Sequence, residues 1–148
     1  MLVRIHRYFD RKINTFFYRL KYGSPTLLVG AGTQITCKNF SIGKHVQIDQ
    51  NVIINGELSG HLIIGENSKI NSFCKIDTTG TLYVGKNTVI SEYTKIYTHG
   101  HGGDPYSAPR PYRLEIGDNV WIGANCLILP SIRKIKSNTI ISAGSVLR

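Results

Sequence analysis

An aliphatic residue returns every six positions through most of this chain. The clearest units are "IGKHVQ" (42–47), "IDQNVI" (48–53), "IGENSK" (64–69), "INSFCK" (70–75), "IDTTGT" (76–81), "VGKNTV" (84–89), "ISEYTK" (90–95), "IGDNVW" (116–121) and "IGANCL" (122–127). Six is neither the period of a strand nor that of a helix. A short straight segment followed by a corner accounts for it. The aliphatic side chain points inward, and Gly, Asn or another small or polar residue occupies the bend, where tight or left-handed backbone angles are needed. Such units bury nothing alone and must stack, each coil pairing with its neighbours through parallel strands around one narrow core. The tail "IISAGSVLR" restores the rhythm after an irregular stretch.

The first twenty residues follow a different period. Leu2, Ile5, Phe9, Ile13, Phe16 and Leu20 are spaced by three or four and fall on one stripe of a helix, with Arg4, Arg7 and Arg11 on the opposite side. Gly23, Ser24 and Pro25 end it. The expected organisation is therefore an amphipathic helix over 1–24 and a repeat domain over 25–148. Two uses of the stripe stay open at this level: packing on the domain or on a neighbouring subunit, and contact with an anionic membrane surface.

The chain is one domain long at 148 residues, and its 41% hydrophobic content fits a globular protein. No apolar run approaches the roughly 20 residues that span a bilayer, and the charged N-terminus does not resemble a secretory signal, so a cytoplasmic protein is expected. Cys37, Cys74 and Cys126 form no CxxC pair and are odd in number, which argues for buried apolar packing over a disulfide framework or a zinc ribbon. The formal net charge of +9 favours anionic partners. The basic residues are not interleaved with aromatics as in a nucleic-acid module, so no nucleic-acid partner is expected.

"IGDNVWIGANCLILP" and "IISAGSV", with the earlier hexapeptides, resemble the hexapeptide-repeat acyltransferases, nearest to the maltose/galactoside and the capsule or lipopolysaccharide O-acetyltransferases. The resemblance covers about residues 29–148. It implies an all-β fold, a left-handed parallel β-helix with about three hexapeptides, roughly 18 residues, per coil. Gly43, Gly65, Gly85 and Gly117 look equivalent on successive coils, 22, 20 and 32 residues apart. The largest excess falls between Val84 and Ile116 and predicts a loop extruded over 98–115.

That loop contains "THGHGGDP", which resembles the segment carrying the family's catalytic histidine. By its place three residues before Asp104, His101 takes that role by resemblance, and Asn71, thirty residues earlier, takes the acceptor-binding role; Asp77 and Asp104 are further acceptor candidates. Phe73 replaces the second Asn of the family's acceptor unit. A neutral imidazole can take the proton of a sugar hydroxyl as its oxygen attacks a thioester, and return it to the departing thiolate. The charge built on the thioester oxygen needs a donor, which the resemblance assigns to the backbone within Trp121–Gly123. His99 is a supporting candidate, for orienting His101 or touching substrate, and Tyr97, Tyr106 and Tyr112 are candidates to line the acceptor groove. The carbonic anhydrase branch of this fold needs three zinc-binding histidines; no histidine follows His101, and His45 and His61 lie at unrelated spacing, so no metal is expected.

The resemblance further implies acetyl-coenzyme A as donor, held beside the last coils by Ala124, Ser142, Ala143 and Arg148, with Arg133, Lys134 and Lys136 offering help at the phosphates. It implies a homotrimer with sites between subunits, and a glycan or surface-polysaccharide precursor as acceptor, met in the cytoplasm or at the inner membrane face. "PSIRKIKSNTIISAG" is one residue longer than the family pattern, so one turn must bulge, and the sequence stops at Arg148 where the family pattern runs on. The competing readings are N-acetylation of an amino-sugar and a non-catalytic scaffold whose coenzyme site has degenerated.

Overall fold

The structure is a computed structural model that describes residues 2–56 and 60–148, and side chains from Phe9 onward. After one helix, α1 (Leu2–Tyr22), the chain winds into a three-sided parallel β-solenoid of about six turns. Face one stacks Leu28–Val29, Gln47–Ile48, Lys69–Ile70, Val89–Ile90, Trp121–Ile122 and Ile140–Ile141. Face two stacks Gln34–Ile35, Ile53–Asn55, Lys75–Asp77, Lys95–Ile96, Leu127–Ile128 and Val146–Leu147. Face three stacks Asn39–Ile42, His61–Ile64, Thr81–Val84, Arg113–Ile116 and Lys134–Ile135. Every pairing within these faces is parallel; the one antiparallel pair among the described residues, His99–Gly100 with Arg110–Pro111, lies in the extruded loop.

The six-residue rhythm becomes vertical ladders of side chains. Ile48, Ile70, Ile90 and Ile122 stand in register on face one, and Ile54, Ile76, Ile96 and Ile128 on face two. All eight are fully buried. Ile42, Ile64, Val84 and Ile116 pair in turn on face three, so the glycines that follow them, Gly43, Gly65, Gly85 and Gly117, do mark equivalent points. A Cβ on Gly43, Gly65 or Gly117 would meet backbone of the next coil at about 2.5–2.9 Å, closer than real contacts allow.

Left-handed backbone turns two of the three corners, from face one to face two and from face three to face one. Among the described residues, six of the nine non-glycine positions with positive φ are asparagines, the residue that tolerates this region best after glycine. At the corner from face three to face one, Asn67, Asn87, Asn119 and Asn138 pass amide hydrogen bonds up the stack at 3.3, 3.2 and 3.1 Å. The extra residue of the last coil is absorbed after face two, in a turn closed by Ile132 N–H to the Leu129 carbonyl (3.1 Å).

Cys37, Cys74 and Cys126 are buried and unpaired. Burial pushes the Cys74 thiol up to about 12, so it stays protonated and acts as a small apolar residue.

The helix narrows the two uses left open for its stripe, since the stripe does not pack on its own domain. Phe9, Ile13, Phe16 and Leu20 of that stripe are 57–70% exposed and face away from the domain; the side chains of Leu2, Arg4, Ile5 and Arg7 lie outside the described residues. The opposite side docks, because the first coil presents backbone groups that have no coil below them to pair with. Asn14 donates to Gly30 O (3.0 Å), Thr15 Oγ1 to Val29 O (2.9 Å), and Arg19 Nε to Leu27 O (2.8 Å). Ile35 N–H donates to the Tyr18 hydroxyl (3.0 Å). Tyr22 packs edge-on against Phe40 of face three. α1 thus touches the first strand of all three faces and caps the solenoid by hydrogen bonding, with Ile13, Phe16 and Leu20 exposed on its other side.

Candidate active site

The loop leaves the corner between faces two and three. Its base is fastened at both ends: Tyr112 N–H donates to Thr98 O (2.7 Å), and Thr81 N–H to Tyr112 O (2.9 Å). Underneath lies Asp77, only 6% exposed. One of its oxygens accepts from Thr98 N–H (2.8 Å) and Thr98 Oγ1 (2.9 Å). The other accepts from Thr79 N–H (3.2 Å) and Thr79 Oγ1 (2.6 Å). Burial works to raise the Asp77 pKa, but the bonds from Thr79 and Thr98 and the contact with His99 outweigh it and hold the carboxyl below its ordinary value. Asp77 is thus ionised and engaged inside the protein, a geometry suited to positioning the loop and not to touching an acceptor.

His99 Nδ1 lies 2.9 Å from Asp77 Oδ2. The contact is short and holds the ring against the carboxylate. The His99 ring meets the His101 ring edge to face, with centroids 5.3 Å apart. His101 Nδ1 is 2.7 Å from the Ser107 carbonyl oxygen. A carbonyl can only accept, so Nδ1 carries the proton and, in the neutral ring, Nε2 keeps its lone pair. Ser107 Oγ returns a bond to His101 O (2.6 Å), locking the loop around the ring. Asp104 sits in the turn beneath, accepting from Tyr106 N–H (2.9 Å) through its side chain and from Ser107 through its carbonyl. Its place in the loop is that of a brace. Arg133 lies over the Tyr112 ring at 3.8 Å and donates to Pro130 O (2.7 Å), which ties it to the loop base.

The other sequence-predicted residues gather at a different corner, between faces one and two. Asn71 opens that corner and donates to Glu92 Oε1 (3.0 Å), while its Oδ1 is buried and meets no donor among the described residues. Ala124, Ser142 and Ala143 follow on the same edge two and three coils higher. Ala124 is half-buried, Ser142 and Ala143 are exposed, and Arg148 is exposed at the end of face two. Gly123 is required by packing, since a Cβ there would lie 2.5 Å from Ala143 N. The backbone N–H groups of Trp121 and Gly123 already donate to Thr139 O (2.9 Å) and Ile141 O (2.8 Å), so neither is a free donor for an oxyanion. The Trp121 indole N–H donates to Ser91 Oγ (3.0 Å) and its ring is 55% exposed.

Two residues here were not singled out as site residues in the sequence. Phe73 and Tyr93 take the left-handed corner positions, with φ of 62° and 61°, and their rings stack at 5.0 Å, nearly parallel. Both are exposed. The available signal was an aromatic residue at a corner that otherwise takes Asn or Gly. Within one chain, the histidines and the Asn71–Ala143 edge therefore border the two opposite sides of face two. Among the described residues, no group of three or more His, Cys, Asp or Glu gathers as a metal site would require.

No protein-family model matches the chain, and no curated protein is significantly similar to it.

Proposed function

We propose that the chain is an O-acetyltransferase of the left-handed β-helix kind, moving an acetyl group from acetyl-coenzyme A to a sugar hydroxyl of a glycan precursor, and that it works as a homotrimer. The observation that carries the reading is the 2.7 Å contact of His101 Nδ1 with the Ser107 carbonyl. It leaves Nε2 as the proton acceptor on an exposed loop. In the reaction, Nε2 takes the hydroxyl proton as the sugar oxygen attacks the thioester carbon. The C–S bond breaks as the ester C–O bond is completed, and the proton passes from His101 to the thiolate. His99, held against Asp77, packs on the His101 ring and positions it.

The oligomer is supported by the separation of the two edges. A pantetheine arm needs a track of small residues that lets it approach backbone, which the Ala124, Ser142 and Ala143 edge offers, but His101 is at the far side of face two. A neighbouring copy placing its loop against that edge completes the constellation. Exposed Ile53, Phe73, Tyr93, Trp121, Ile140 and Val146 wrap the same edge, an apolar surface of the kind subunits bury.

The test is thiol release from acetyl-coenzyme A over a panel of sugars, with wild type and His101→Ala, beside molar mass in solution. Turnover lost in the folded variant, with a trimeric mass, supports the reading. A wild type that binds no coenzyme favours a scaffold, and a product stable to hydroxylamine favours amide formation on an amino-sugar.

A further inference from the structure

α1 ends the solenoid with its apolar side outward. At 100° per residue, exposed Phe9, Ile13, Phe16, Phe17 and Leu20 share an arc of about 100°. Thr15 and Tyr18, which bond to the first coil, lie on the other side. The flank between these sides is basic. Arg11, Lys12, Thr15, Phe16 and Arg19 line a hollow of ≈ 450 Å³, ample for a phosphodiester headgroup. Arg19 is fixed there through Nε to Leu27 O (2.8 Å). Leu2–Tyr22 carries six Arg or Lys and a single acidic residue, Asp10, more than half the chain's net charge of +9. No helix among the described residues is long and apolar enough to cross a membrane.

We propose that this end of the molecule docks on an anionic lipid surface. The Phe9–Leu20 stripe enters the boundary between headgroups and acyl chains, and Arg11, Lys12 and Arg19 hold a lipid phosphate in the hollow beside it. Charge decides the occupant. A second copy laid face to face on the stripe brings two basic flanks together, whereas an anionic leaflet neutralises them. Because α1 caps the end of the solenoid, docking leaves all three faces clear of the membrane. The inference does not depend on the reaction assigned above.

The experiment is co-sedimentation of the full chain with vesicles of phosphatidylcholine alone and of phosphatidylcholine with about a third phosphatidylglycerol. Wild type, a Phe16→Asp/Leu20→Asp variant and an Arg11→Glu/Lys12→Glu variant are compared, each checked by circular dichroism and thermal unfolding. The expected result is binding to the anionic vesicles only, weakened by salt and by inorganic phosphate alike, and reduced at least tenfold in both folded variants. Three results overturn it: no wild-type binding to anionic vesicles, undiminished binding by both folded variants, or a lower molar mass for Phe16→Asp/Leu20→Asp, which would assign the stripe to contact between copies.

Discussion

The carboxylate of Asp77 stands 2.9 Å from Nδ1 of His99 while the same oxygen receives the Thr98 N–H at 2.8 Å. One buried charge therefore fixes both the start of the loop and the first of its two histidines. Asn in place of Asp77 keeps the shape but removes the charge, and turning its amide toward Thr98 sets donor against donor. A charge-assisted bond is worth about 1.5–3 kcal/mol, so Asp77→Asn is expected to lower stability by about that amount, and turnover with it, as read by chemical denaturation and thiol release.

The same residue sets a pH window. Its folded pKa is below the ordinary carboxylate value, so it contributes stability that is fully present above the unfolded pKa of about 3.9. That contribution is lost as pH falls through the depressed folded pKa. Denaturation midpoints measured from pH 6 to pH 2.5 are expected to fall more steeply below pH 4 for wild type than for Asp77→Asn, the two curves converging in acid. Parallel curves would mean that the carboxylate is not held as described.

The two histidines are separable by kinetics. General base catalysis is worth about 10²–10⁴-fold in rate, and that is the loss expected for His101→Ala in kcat, with folding intact. His99→Gln removes a positioning contact, and a smaller loss is expected. If His99→Gln loses turnover while His101→Ala retains it, the base is His99.

Gly80 is where the loop base crosses the stack. A Cβ on it would lie 2.5 Å from Thr98 O and closer still to the Tyr112 carbonyl, and backbone cannot step aside as a flexible side chain can. Gly80→Ala is expected to cost about 1–3 kcal/mol, as overpacked sites do, and to loosen the loop. Faster proteolysis between Gly100 and Arg110, compared with wild type, checks the second part.

What the sequence disclosed is what repeats locally. The repeats placed Gly43, Gly65, Gly85 and Gly117 in register and the extrusion between Val84 and Ile116, and Gly23, Ser24 and Pro25 marked the helix end; the loop expected over 98–115 ends earlier, since Arg113–Ile116 is a strand of face three. What it concealed depends on which of three corners a residue occupies. Asp77 and His99 are 22 positions apart, and only the stacking of coils brings them together. Asn71 and His101 look like partners by spacing, yet each borders a different side of face two. The helix stripe left packing and membrane contact both open, because apolar periodicity marks a buried side without saying against what. Here the open end of the solenoid offers unpaired backbone groups, and a polar helix side satisfies them better than an apolar one. A trimer, the coenzyme and the left hand of the coil are implied by the resemblance alone.

Phe73 and Tyr93 offer the sharpest contrast between stability and use. A non-glycine residue in the left-handed region costs about 1–2 kcal/mol, while a stacked aromatic pair returns about 0.5–1.5 kcal/mol. Relief of strain and loss of the stack therefore nearly cancel when Phe73 is replaced by Asn, the residue found at the equivalent corners Asn51 and Asn125. Phe73→Asn is expected to leave chain stability within about 1 kcal/mol of wild type. Exposed rings in strained backbone without a stability reason point to a contact outside the chain, so the same variant is expected to weaken trimer formation or raise KM for the acceptor by at least severalfold. Molar mass against concentration separates the first effect from the second. A variant unchanged in mass, KM and stability would reduce the pair to a neutral substitution of the corner.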